Sequence, residues 1–110
     1  MAIDNTLYDS LENTYVKIQD FFNKNQLKAE HSAMIVKHEE LAELLEDFDI
    51  EILEEQSKDI NTLHKQLDDI KEVSQKIVKD LNDITDSVES ATRVANGLDE
   101  VFLKIQNIVV

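Results

Sequence analysis

The stretch INTLHKQLDDIKEVSQKIVKDLNDITDSVESATRVANGLDEVFLKIQNIV, Ile60 to Val109, decides the fold. With Ile60 at heptad position a, the a positions read Ile60, Leu67, Ser74, Leu81, Val88, Ala95, Phe102 and Val109. The d positions read Leu63, Ile70, Ile77, Ile84, Ala91, Leu98 and Ile105. Only Ser74 is polar, and the phase does not slip over seven heptads. This spacing predicts one continuous helix with an apolar seam. At its ordinary rise such a helix is about 75 Å long, well over twice the diameter of a small domain. Something must therefore cover it, and the expectation is that the other half of the chain covers part and partner chains cover the rest.

The remaining heptad positions describe the partner. Positions b, c and f are polar apart from Leu103 and Gly97, as a solvated back face should be. Position g carries Val73, Val94, Val101 and Ile108, and position e carries Val78. A two-stranded coiled coil usually charges e and g, whereas a wider stripe suits a helix packed against two neighbours in a bundle. Ser74, Ala91 and Ala95 are the small or polar positions in the seam and mark places where another helix can approach closely. Asn96–Gly97 reads locally as a stop, but the phase continues through it, so the reading is a weak spot in an unbroken helix.

Composition allows only helices. The 110 residues contain no proline, one glycine and no cysteine. Hairpin turns, Gly-rich phosphate loops, disulfides and thiolate metal sites are thereby excluded, and a reducing compartment is compatible. No apolar run reaches the length of a membrane span. The opening Met-Ala-Ile-Asp lacks the basic region of a signal peptide, and Ala2 excludes N-myristoylation. Formal net charge is −13. Residues 1–57 hold 4 bases and 14 acids, and residues 58–110 hold 7 bases and 10 acids. That balance argues against direct binding of nucleic acid or of an anionic membrane surface.

Before the heptads, a first amphipathic helix is expected to start after Asp4 or Thr6 and to end near Asn23–Asn25. Its stripe is Leu7, Leu11, Ile18 and Phe22, widened by Tyr8, Tyr15 and Phe21. A second helix is expected from about Leu27 to about Glu55, with Met34, Leu41, Leu45, Phe48 and Ile52 inward. Between residues 39 and 55 it carries nine acids and no base (Glu39, Glu40, Glu43, Glu46, Asp47, Asp49, Glu51, Glu54, Glu55). Such a run reads first as a solvated face and second as a dock for a basic protein surface. Phase is lost between Ile52 and Ile60, which predicts a break or kink, with Ser57 or Asp59 as the next N-cap.

Two motifs come close to chemistry and fall short. His38-Glu39-Glu40 would need a second histidine at position 42, which is Ala42. His31, His38 and His64 are scattered and read as exposed helix residues rather than ligands. Glu39-Glu40-Leu41-Ala42-Glu43 has the spacing of the all-α nucleotide pyrophosphohydrolases, which bind Mg²⁺ through such carboxylates. The matching Glu-x-x-Asp on a following helix is missing, and Asp80-Leu81-Asn82-Asp83 does not replace it. No catalytic residue, cofactor site or metal site is expected.

Lys17-Ile18-Gln19-Asp20-Phe21, followed by Gln26-Leu27, resembles the cappuccino subunit family of the biogenesis-of-lysosome-related-organelles complex. The spacing of Ile60, Leu63, Leu67, Ile70, Val73 and Ile77 is similar to that family's main coiled coil. The resemblance covers about two-thirds of the chain. It implies a rod-like assembly of small coiled-coil proteins on the cytosolic face of endosomes, acting as a scaffold in sorting towards lysosome-related organelles or vacuoles.

The expectation is therefore an all-α chain of two or three helices, forming a helical bundle or an extended rod. Residues 1–57 supply an amphipathic helix and an acidic second helix, and residues 58–110 a coiled-coil helix, within one structural domain. The function expected is that of a non-enzymatic scaffold subunit of a hetero-oligomeric complex, cytoplasmic, without membrane insertion, and recruited to endosomes through partners. Rival readings are a kinetochore-type ring subunit, a bacterial secretion-partner or chaperone hairpin, and an acidic nucleic-acid mimic. The residues expected to bind other helical subunits are Leu63, Leu67, Ile70, Ile77, Leu81, Ile84, Val88, Leu98, Phe102 and Ile105.

Overall fold

Aspartate caps punctuate the chain. In the computed structural model, which describes residues 6–108, the helices are α1 (Thr6–Lys24), α2 (Ser32–Asp47), α3 (Ile50–Gln56), α4 (Ile60–Asp83) and α5 (Ser87–Gln106). A single 3-10 turn, Ala29–His31, precedes α2. The side chains of Asp49, Asp59 and Asp86 sit at the N-caps of α3, α4 and α5 and accept hydrogen bonds from backbone amides two or three residues on. At the other end of α1, the Asn25 backbone N–H and side-chain amide both donate to the Phe21 carbonyl, at 3.1 and 2.9 Å, and end that helix. The all-α expectation holds, as do the end of α1 near Asn25 and the break before Asp59. Asp4, Val109 and the first two residues lie outside the described residues.

The single long helix does not form. The heptad stretch breaks at Ile84–Asp86, where Ile84 and Asp86 are extended (ψ 124° and 119°). Asp86 Oδ1 accepts from Val88 N–H at 2.9 Å and Glu89 N–H at 3.0 Å, which starts a new helix in a new direction. The expected second helix divides as well, because Phe48 is extended and Asp49 begins α3. The molecule measures 45 × 22 × 18 Å, far short of a 75 Å rod.

Breaking the helix lets the seam close on itself. α4 and α5 form an antiparallel hairpin, with Gln66 donating to the Asn107 carbonyl at one end and Ile77 against Gly97 further along. α1 and α2 form a second antiparallel hairpin, in which Phe21 lies by His31 and Tyr15 by His38. The hairpins pack side by side, α1 against α4 and α2 against α5. Both of these contacts are parallel. α1 meets α4 first at Thr14–Ser74 and then at Phe21–Leu81, and α2 meets α5 first at Lys37–Asp99 and then at Leu44–Ile105. α2 and α4 thus stand on a diagonal of the bundle, and α3 carries the chain between them.

Every long helix in this arrangement has two neighbours, which explains the wide stripe. Leu63, Leu67, Ile70, Ser74 and Ile77 of α4 are buried, as are Ala91, Val94, Ala95, Leu98 and Val101 of α5. In α5 the buried stripe leans towards the former g positions, Val94 and Val101. Val88, at a, is left 37% exposed. Ser90, read as part of the polar back face, is 1% exposed and its hydroxyl donates to the Ile84 carbonyl. The break has re-phased this part of the chain.

Ser74, the small polar residue of the seam, marks a close approach. Ser74 Oγ and Thr14 Oγ1 lie 2.6 Å apart and reach the Ser10 carbonyl at 3.1 and 2.9 Å. This buried polar knot joins α1 to α4 and leaves neither hydroxyl without a partner. Gly97 is not the exposed weak spot that its heptad position suggests. A Cβ there would stand 2.6 Å from Ile77 Cγ1, so the missing side chain lets α4 and α5 meet.

Candidate functional site

Two of the three histidines resolve into packing. His38 is 6% exposed, stacked on Tyr15 with ring centroids 4.1 Å apart, and its Nε2 donates to the Tyr15 carbonyl at 3.2 Å. Burial pushes its pKa below the ordinary histidine value, against the opposing pull of the Tyr15 carbonyl. His31 is fully buried, and its Nδ1 accepts from Lys28 N–H at 3.0 Å. The expectation that both rings are exposed is corrected: Tyr15, Phe21 and Phe22 close an aromatic cluster over them. Among the described residues, no group of three or more His, Asp or Glu side chains is placed to hold a metal ion. Glu39, Glu40 and Glu43 are exposed on α2, and Glu40 pairs with Lys37.

The residues expected to bind partner helices divide into three sets. Leu63, Leu67, Ile70, Ile77 and Leu98 are 0–5% exposed and belong to the chain's own core. In this fold the chain itself covers these five. Leu81 and Ile84 are half-buried beside Phe21 and Lys24 of α1, and Val88 is exposed on its own. Phe102 and Ile105 are half-buried in a groove at the opposite end of the bundle.

In that groove apolar surface and unbalanced acidic charge coincide. α2 stops at Asp47, α3 turns away, and the last turns of α5 lie alongside. Three adjoining hollows of about 470, 190 and 270 Å³ share Asp47. Their floor is formed by Leu44, Phe48, Leu53, Phe102, Ile105 and Ile108, all half-buried, with Ile52 48% exposed at the lip. Their rim carries Glu40, Glu43, Glu46, Asp47, Asp49 and Glu51 and includes no Lys, Arg or His. The hollow between α4 and α5 differs: Lys76 and Arg93 there offset Asp80 and Glu100.

In the sequence Phe48 and Ile52 fall in a continuous second-helix stripe, and nothing local joins them to Phe102, Ile105 and Ile108. The signal that could have found the break is Asp47-Phe48-Asp49, two capping-type residues flanking an apolar one inside an acidic run. Its use as a groove wall depends on α5, some 50 residues later, and has no local signal.

Of the nine acids from 39 to 55, only Glu54 is not exposed. Its Oε2 lies 3.4 Å from His64 Nε2, and Glu40 lies 3.8 Å from Lys37. Glu43, Glu46, Asp47, Glu51 and Glu55 have no cation within ion-pair distance among the described residues. Among those residues no helix is long and apolar enough to cross a membrane. Comparison with protein families, with curated proteins and with solved structures finds no match.

Proposed function

We propose that this chain is a non-enzymatic helical subunit of a hetero-oligomeric complex, which enters the complex already folded and docks a basic protein surface through its acidic α2–α3 end. The carrying observation is the contrast in what is covered. The centre of the heptad seam, Leu63 to Ile77 and Ala91 to Leu98, is covered inside the monomer, while the acid-rimmed end keeps both its charge and its apolar floor accessible. A contact of this kind is steered by charge and weakens as salt rises.

The narrower reading, a cytosolic subunit of an endosomal sorting complex, rests on the resemblance at Lys17–Phe21 and Gln26-Leu27. Within this bundle Ile18 of that motif is a core residue, and Phe21 packs on His31.

Size exclusion with light scattering, together with circular dichroism, tests the first half of the proposal. The expected result is a helical monomer that melts cooperatively; a chain that folds only with co-expressed helical partners would overturn it. The second half is tested by affinity capture with the wild type and with the triple variant Glu43→Gln, Glu46→Gln, Glu51→Gln. A basic partner retained by the wild type and lost by an equally helical variant is the expected result. Capture unaffected by neutralisation would remove the acidic end from the interface.

A further inference from the structure

The acidic end has a shape as well as a charge, and the shape narrows the partner. We infer that the groove between α2, α3 and α5 receives a basic amphipathic helix of a partner protein. This deepens the preceding reading, since it takes the acidic end to be the contact surface.

Along α2 the groove's lining runs from Glu40 to Asp47, and along α5 from Phe102 to Gln106, with Ile108 just past the helix end. The α2 run rises about 10 Å, which matches roughly two turns of a guest helix lying beside it. A guest of that kind inserts two or three apolar side chains at i, i+3 or i+4, and i+7. Leu44, Phe102 and Ile105 would receive the central one, and Phe48, Leu53 and Ile108 the next.

Charge decides among occupants. A guest lying in the channel brings its flanking residues against Glu40, Glu43 and Asp47 on one side and Asp49 at the end. Lys and Arg flanks are complementary to that rim. A second copy of this chain would bring the same acids against each other, and an anionic lipid surface or nucleic acid would be repelled in the same way.

Fluorescence anisotropy at low salt tests the inference. One probe is a labelled peptide of leucine and lysine only, roughly 14 residues long, with its leucines at helical spacing. The control has the same composition with the leucines redistributed so that no apolar face forms. The periodic peptide should bind at least about tenfold more tightly than the control. Ile52→Asp, at an exposed position, should remove that preference while leaving the circular dichroism melt unchanged. Val88→Asp, exposed at the far end of α5, should leave the preference intact. Equal binding of both peptides, unaffected by Ile52→Asp, would overturn the groove while keeping the acidic surface as a dock for basic protein. No binding of either peptide would overturn both readings. A dimer of the pure chain that Ile52→Asp dissociates would make a second copy the occupant and would also overturn the inference.

Discussion

The α4–α5 hairpin and the α2–α3 end are both built on apolar stripes, yet the first is far more fully closed. In the hairpin, Leu98 and Val101 are fully buried, and Gly97 lets the helices meet. At the α2–α3 end, Phe48 and Leu53 are half-buried, Ile52 is exposed, and the acids around them lack local cations. Apolar periodicity reports that a face needs cover. Whether the chain's own fold supplies that cover depends on where the helices break, and the charge balance around the uncovered part reports what kind of partner fits.

The largest effect that could break this contrast lies in the seam. Leu98→Ala should cost about 2–5 kcal/mol, as truncation at a fully buried leucine does, and should lower the thermal midpoint sharply. Ile52→Asp should leave that midpoint almost unmoved. Equal losses would mean that the α2–α3 end is as much a part of the core as the hairpin.

Gly97→Ala comes next. In an open helix, alanine would gain about 1 kcal/mol over glycine. Here the new methyl meets Ile77 Cγ1, so a net loss of about 1–2 kcal/mol is expected, read by urea unfolding. A stabilised variant would show that α4 and α5 can part without cost.

Acid should loosen the α1–α2 hairpin. His38 has a folded pKa below its ordinary value of 6.5, so the unfolded chain takes up the proton first. The stability tied to that histidine is complete above about pH 6.5 and is lost as pH falls through that value towards the lower folded pKa. Thermal melts between about pH 7.5 and pH 5 should show the decline, and His38→Phe should flatten it. An unchanged slope in the variant would remove His38 as its source.

The smallest effects belong to the caps. Asp86→Ala should cost about 1 kcal/mol and Asp49→Ala a similar amount, both read by thermal melts. Replacing Asp49 by Asn keeps a capping oxygen while removing charge. It therefore separates the residue's part in the acidic rim from its part in starting α3. If Asp49→Asn binds a basic peptide as tightly as the wild type, its charge is irrelevant to docking.

Much of this was legible residue by residue. The helix end near Asn23–Asn25 read correctly, as did Asp59, one of the two caps offered with Ser57, because propensity and capping are local chemistry. Ser74 read correctly as a close-approach position because a small seam residue leaves room, and Ala91 and Ala95 are buried as seam positions should be. The Ile84–Asp86 break was missed because the heptad phase survives it: Ile84, Val88 and Ala91 keep their spacing across a turn, so periodicity alone reads straight through. Asp83, Thr85, Asp86 and Ser87 hold the opposing signal, a cluster of poor helix formers and good caps. His31 and His38 read as exposed because an isolated imidazole gives no hint that aromatic rings of α1 pack on it.

By itself, then, the sequence determined an all-α chain with apolar stripes wide enough for two neighbours, and an acidic block with no bases of its own. Those follow from composition and from short-range periodicity. Only the tertiary structure decided that the seam closes on itself, that Gly97 is a contact rather than a weak spot, and that Phe48 and Ile105 line one groove. Each of these depends on helices distant in the chain folding back upon one another, and on three aspartates that turn a would-be rod into a bundle.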